Sequence, residues 1–331
     1  MIRVPNLTYE NALEFSHGLK SYQLEEGENF IFSSVKNCDP FPMLLAATAI
    51  RQVRKRCPVS SCHAADVEGN SYAKHMRFYK AIGIDYGREL DEDYGGGTYL
   101  PITKLNVAEL REDGIKNLER IQEVIERKAT QMAQVLSRGE VSFKRWIAYV
   151  LTEMIRNIPE HSKADSIWYC MQYWHTYDLV ELAILDEGIG IRNSLLSNPA
   201  YHDLAINDYQ ANMLALKPGI SRTFAPGTSS RNNGDEWKNS GYGLYMVSQL
   251  CNRLGGSFLM ASGDNAVLLQ NDNYSPYNCY LEGTAIQIRI RPSRLANYSE
   301  IAQAILREGE QQAGDIGFTT ASKSSKSILR Y

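Results

Sequence analysis

Glu153 and Asn157 stand one helical turn apart in Glu153-Met-Ile-Arg-Asn157. On a helix, side chains four residues apart project from the same face. An Asn carbonyl is a neutral oxygen ligand of the kind Mg²⁺ accepts beside phosphate and water. A neighbouring Glu is placed to polarise a water or a hydroxyl for attack. Solvated helix faces also carry Glu and Asn, so the pair gains weight only from the segments downstream of it. Asp186 closes the apolar run Leu179 to Leu185 and leads into Glu187-Gly188-Ile189-Gly190. A buried carboxylate there can accept from the exocyclic amine of adenine, an amine that guanine lacks at that position. Leaving such an acceptor unpaired costs about 1–3 kcal/mol, which discriminates between bases. Gly188 and Gly190 let backbone approach a ring where a Cβ would clash. Gly241 and Gly243, followed by Leu244, open a helix whose first N–H groups suit phosphate. Gly283-Thr284 then begins a strand fit to floor a pocket. In this order the segments describe a place for a nucleotide, its metal ion and an attacking water.

Periodicity supplies the elements that must hold these residues. A helix is expected over 143–158, strands over 166–174 and 179–185, a helix over 243–254, and strands near 256–261 and 284–291. About fifty residues from Ile191 to Ser240 show only patchy periodicity and end in Ala225-Pro-Gly-Thr-Ser-Ser-Arg-Asn-Asn-Gly234, which is loop chemistry. Upstream, 28–34 reads as a strand, Phe41–Val53 and 71–82 as helices, Gly95-Gly-Gly97 as a turn and 98–102 as a strand. The longest helical signal runs over 107–137, with Leu118, Ile121, Ile125, Met132 and Val135 in a heptad-like pattern. That pattern admits a coiled-coil homodimer helix or a helix packed on its own domain, and the residues leave both open. Beyond Pro292 come a helix over 299–308 and a Ser/Lys-rich tail expected to be mobile.

The 331 residues, 44% hydrophobic and 22% charged, suit a globular protein of two domains. A formal net charge of −3 gives no electrostatic argument for nucleic acid or an anionic membrane. No stretch is long and apolar enough to span a bilayer, and the N-terminus lacks the apolar core of a signal peptide, so the expected location is the cytoplasm. The six cysteines form no CxxC pair, and Cys57, Cys62 and His63 lack a second ligand pair, so reduced thiols are expected rather than zinc.

The segments "LTEMIRNIPEHS", "LDEGIGI", "NSGYGLYMVSQLCNRLGG" and "EGTAIQIRI" resemble, in order, the adenine-nucleotide motifs of the GHKL superfamily. That superfamily takes in DNA gyrase, the ninety-kilodalton heat-shock chaperone, histidine kinases and mismatch-repair ATPases. The resemblance implies an α/β sandwich over 141–292 that binds ATP and Mg²⁺. It further implies Glu153 as general base, Asn157 as metal ligand, Asp186 on adenine and Gly188 and Gly190 beside the base. Gly241, Gly243 and Leu244 would lie at the phosphates, and Thr284 would support Asp186 through a water. His161 fits either the pocket or the helix end. Arg222, Arg231 and Lys238 could reach a γ-phosphate or stay solvated, while Trp168, Tyr173, Trp174 and Tyr177 fit packing better than base stacking.

Residues 1–105 resemble a STAS domain through "FIFSSVKNCDPFPMLLAATAIR" and "YAKHMRFYKAIGID", with Cys38-Asp39-Pro40 where regulated members carry a phosphorylatable Ser. The expected architecture is therefore α/β throughout: a STAS-like domain (1–105), a long linker helix (106–140), a GHKL sandwich (141–292) and a C-terminal helix with a flexible tail (293–331). The histidines fall at 17, 63, 75, 161, 175 and 202, so the 107–137 helix offers no phosphoacceptor, which argues against a sensor histidine kinase. Only about forty residues follow Pro292, which argues against a large ATP-gated clamp within this chain. The reading that remains is a Mg²⁺-dependent ATPase switch acting on the N-terminal domain or a protein partner. Its alternatives are a serine/threonine kinase of the anti-sigma type and a non-catalytic nucleotide-gated scaffold.

Overall fold

The structure, a computed structural model, describes residues 1–25, 28–56, 70–87, 97–137, 140–157, 162–222 and 241–315. In chain order the described elements begin with β1 (Ile2–Arg3), α1 (Tyr9–Gly18), β2 (Phe30–Ile31) and α2 (Pro40–Arg56). Short helices α3 (Ser71–His75) and α4 (Phe78–Ala81) precede β3 (Tyr99–Asn106), α5 (Val107–Asn117), α6 (Ile121–Ser137) and α7 (Val141–Asn157). Then come β4 (Ser166–Trp174), β5 (Leu179–Asp186), α8 (Gly190–Leu196), α9 (Asp208–Ala215) and α10 (Gly243–Arg253). The chain closes with β6 (Ser257–Gln270), β7 (Asn273–Ile290) and α11 (Tyr298–Asp315).

β3, β4, β5, β7 and β6 form one antiparallel sheet in that order, with β5 at its centre. Strand side chains alternate between faces, and both faces of β5 are buried. Val180, Leu182 and Ile184 join a core with α6, α7, α10 and α11. Ala183 and Leu185 join a second core with α1, α2 and α4. Each fully buried side chain the size of Val, Leu or Ile contributes about 1.5–3 kcal/mol, so the central strand is held from both sides. The mixed α/β class and the C-terminal sandwich expected from sequence are what the fold shows.

The N-terminal segment departs from its expected form. Among the described residues, 1–98 contribute only the two-residue strands β1 and β2, paired in parallel. Their helices use the main sheet's second face as their core partner. The expected boundary at 105 falls within β3, which pairs with β4 as the sheet's edge. The expected helix over 71–82 is broken at Arg77, whose φ of 62° is left-handed.

The expected linker helix over 107–137 is two helices. Leu118 at φ 57° ends α5, and the Glu119 N–H bonds back to the Gly114 carbonyl at 2.9 Å. Arg127 ties the turn together by pairing with Asp113 and Glu119. The apolar stripe of α6 then packs on α7 in the same chain, with Ala129 and Ala133 permitting close approach. A coiled-coil seam over this stretch is replaced by that intrachain contact. The strands expected near 256–261 and 284–291 are the inner halves of a long hairpin turned at Asn271 and Asp272, both at positive φ. The C-terminal helix runs to Asp315 and seats Gly309 against Tyr245 and Pro218. Among the described residues, no helix is long and apolar enough to cross a membrane.

Leu118 holds a left-handed backbone with its side chain 96% exposed. That conformation costs a branched residue about 1–2 kcal/mol and glycine almost nothing. Leu118→Gly should therefore raise unfolding stability by roughly 0.5–1 kcal/mol in urea titrations. A loss of stability would show that the Leu118 side chain has a partner.

Candidate functional site

A cleft of about 820 Å³, counting its open mouth, lies on the α7/α10 face of the sheet. Ile184 and Asp186 of β5 and Thr284 and Ile286 of β7 form its floor. These are alternate residues of paired strands, and Asp186 is the register partner of Thr284. Asn157, the last residue of α7, lines one wall, while Gly190 and Ile191 at the start of α8 line another. Gly241, Gly243 and Leu244 bring the N-terminus of α10 to the rim.

Asp186 is 5% exposed. Its Oδ1 accepts the Gly188 N–H at 2.9 Å, and the Ser162 hydroxyl also donates to the carboxylate. Ser162 anchors the whole turn, because its carbonyl accepts the Ile189 N–H at 2.8 Å. A Cβ on Gly188 would lie 2.2 Å from that carbonyl, so only glycine fits there. Burial raises the carboxyl to about 7, against the opposing pull of the Gly188 N–H and the Ser162 hydroxyl. Gly283, at φ 128°, packs so closely that a Cβ would sit 1.9 Å from the Asp186 carbonyl. The start of α8 is pinned by Ser262, which accepts the Ile191 N–H at 2.9 Å and donates to the Gly283 carbonyl at 2.7 Å.

At the other end, Gly241 at φ 77° presses on the backbone of Gly219 and Ile220, where its Cβ would meet the Ile220 carbonyl at 2.4 Å. Tyr242 starts α10 without capping it by its side chain, and its hydroxyl donates to the Gly309 carbonyl on α11 at 3.5 Å. The helix N-terminus, with its partial positive charge, thus borders the cleft. Glu153 is fully buried one layer below, and a Cβ on Gly243 would stand 2.4 Å from its Oε2. Arg156, also buried, places Nη2 3.6 Å from that same oxygen.

Seven of the residues expected from sequence thus line one cleft: Asn157, Asp186, Gly190, Gly241, Gly243, Leu244 and Thr284. Glu153 lies beneath Gly243 and Gly188 lies behind Asp186, so these two support the cleft without lining it. Arg222, one of the cations considered from sequence, does line it. His161, Arg231 and Lys238 lie outside the described residues, as do Cys57, Cys62 and His63 and the tail from 316. Trp168 and Tyr173 are taken up in packing, the former donating to Glu187 and the latter edge-on to Phe143 and tilted against His175. Ser162, Ser262, Arg156 and the walls at Ser194, Ile220 and Ser221 carry roles that only the fold discloses. Ser162 ends the first of the four motifs, but the turn folded over it is what gives it a task.

An apolar slot with a buried carboxylate at its floor and a helix N-terminus at its rim suits a purine nucleotide. Residues 144–294 match the family described as histidine kinase-, DNA gyrase B-, and HSP90-like ATPase. A domain of that kind is therefore found here. Its bounds enclose β4 to β7, nearly all of α7, and α10, and hence every wall of the cleft. No curated protein and no solved structure matches the chain. The match supports ATP binding and an ATPase- or kinase-like role for this domain.

The ordinary value for Asp186 is 3.8, and in the fold it is about 7. Between those values the folded chain keeps a proton that the unfolded chain has released. Stability therefore falls as pH rises through that window. Asp186→Asn cannot ionise, so it should match wild type near pH 4 and exceed it at about pH 8, by up to roughly 4 kcal/mol. Urea unfolding at both pH values checks this, and a difference independent of pH would refute the buried-carboxylate account.

Proposed function

We propose that the chain is a Mg²⁺-dependent ATP-binding protein that hydrolyses ATP as a regulatory switch. The observation that carries this reading is the desolvated Asp186 carboxylate in its glycine cradle, opening into a cleft bordered by the start of α10. Adenine fits the apolar slot with its amine donating to Asp186, and the phosphates reach the first N–H groups of α10. Asn157 is the residue on the cleft wall suited to hold the metal ion, since it lines the same cleft as Gly241 and Gly243. Nucleotide phosphates and water would complete the ion's shell. Bound there, Mg²⁺ would neutralise phosphate charge as it develops. Glu153 is the candidate general base. Its Oε2 stands 2.4 Å from where a Gly243 Cβ would lie, so glycine is what lets the start of α10 seat against it, and Arg156 faces the same oxygen at 3.6 Å.

That last contact also favours a second reading, a nucleotide-gated scaffold with little turnover, because Glu153 faces Arg156 and does not line the cleft. Incubation with Mg²⁺ and γ-labelled ATP separates the readings. Hydrolysis predicts released phosphate, the scaffold predicts binding without release, and label on protein would mark a kinase. Under the hydrolytic reading, Glu153→Ala should lower phosphate release by about 10²–10⁴-fold while ATP still binds. Unchanged turnover in that variant would sink the general-base role. Gly241→Ala meets backbone that cannot yield. It should lose at least about tenfold in ATP affinity by calorimetry.

A further inference from the structure

Helix α2 lies on the face of the sheet opposite the cleft, yet it is fastened to both strands that carry the cleft's floor. At its start, the Phe41 N–H donates to Glu181 Oε1 at 2.8 Å. Arg289 bridges Glu181 and Asp39, each at 2.6 Å. Glu181 and Arg289 are themselves register partners on β5 and β7. Towards its end, α2 reaches the same two strands again. Arg51 Nη2 lies 3.5 Å from Glu187 Oε2, and its guanidinium stacks 4.1 Å over Trp168, whose ring N–H donates to that same carboxylate at 3.2 Å. Gln52 makes a two-point bond with the backbone of Glu282: its amide donates to the carbonyl at 2.7 Å and its oxygen accepts the N–H at 3.2 Å.

The spans agree. Ten residues of helix from Phe41 to Arg51 rise roughly 15 Å, and six residues of strand from Glu181 to Glu187 extend roughly 20 Å. Side chains cover the remainder. Glu187 directly follows Asp186, and Glu282 directly precedes Gly283, whose Cβ position is 1.9 Å from the Asp186 carbonyl. The contacts of Arg51 and Gln52 therefore grip, from behind, the two chain segments whose meeting sets where the Asp186 carboxylate points. Gln52 is buried, and Arg51 is further fixed by donating to Thr48 Oγ1 at 2.7 Å and to the Ala81 carbonyl at 3.1 Å.

We infer that Arg51 and Gln52 are positioning residues for base recognition, and that α2 makes nucleotide selectivity a property of the N-terminal layer as well as of the ATPase domain. This rests on the cleft being an ATP site. A shift in the register of α2, imposed by anything bound to the N-terminal layer, would reach Asp186 through Glu187 and Glu282.

Affinity for ATP and for inosine triphosphate, which presents an oxygen where adenine has its amine, separates positioning from general support. The variant is Gln52→Met, which keeps volume and removes both bonds to Glu282. It should weaken ATP by about tenfold and inosine triphosphate by less than about threefold, the scale of one or two hydrogen bonds. Glu187→Gln, a milder change that removes the ion pair with Arg51, should move the ratio the same way and serves if Gln52→Met fails to fold. Folded variants with the wild-type ratio would overturn the inference while leaving the ATP site intact. A wild-type protein that does not distinguish the two nucleotides would overturn the ATP reading, and the inference with it.

Discussion

Everything in this molecule depends on β5 being buried on both faces. A strand in that position has to satisfy two cores at once, and alternate side chains divide the work. Val180, Leu182 and Ile184 face the helices of the nucleotide side, and Ala183 and Leu185 face the N-terminal layer. The polar residues obey the same alternation. Glu181 and Glu187 face α2, where cations and N–H donors meet them, while Asp186 faces the cleft. Burying a carboxylate without a matching cation is costly. Among the described residues, Asp186 bears that cost with a backbone N–H and a hydroxyl for support, and its raised proton affinity is the result. A group in that state gains from a ligand that brings a donor to it.

The glycines follow from the same crowding. Gly188, Gly283 and Gly241 lie where two backbone segments meet at distances that exclude a Cβ. They are less a flexible frame than a set of close contacts that fix the turn around Asp186 and the chain at Ile220 beside the start of α10. C-terminal helix α11 completes the brace at the α10 end of the cleft by accepting from Tyr242 and Tyr245 along its backbone. The site is thus held from three directions by segments distant in sequence.

Much of the cleft is legible in the sequence because its residues break local patterns. Asp186 interrupts an apolar run, and Gly241 and Gly243 sit where a helix begins. The hairpin of β6 and β7 shows only half its length in the pattern, because Gly263, Asp264, Asn265 and Pro276 spoil the alternation in its outer part. That part is held by packing on α1 and α9, which local pattern does not report. The heptad-like run over 107–137 conceals a break because Leu118 is an unusual residue for a left-handed turn. The N-terminal layer looks like a body of its own for a similar reason. The signal against this lies in β5 itself: Leu-Val-Glu-Leu-Ala-Ile-Leu is apolar on both alternations but for Glu181, which marks a strand covered twice. Periodicity places Glu153 on the right helix, but its contact with Arg156 and its seat under Gly243 depend on how α10 docks, which no local spacing reveals.

The central claim is that Asp186 reads adenine while the start of α10 holds the phosphates. A structure of the chain with Mg²⁺ and a non-hydrolysable ATP analogue tests it most directly. The account predicts the exocyclic amine within hydrogen-bond distance of the Asp186 carboxylate, the phosphates beside Gly241 and Gly243, and the metal on Asn157. An analogue bound with its base elsewhere, or with its phosphates away from α10, would contradict it.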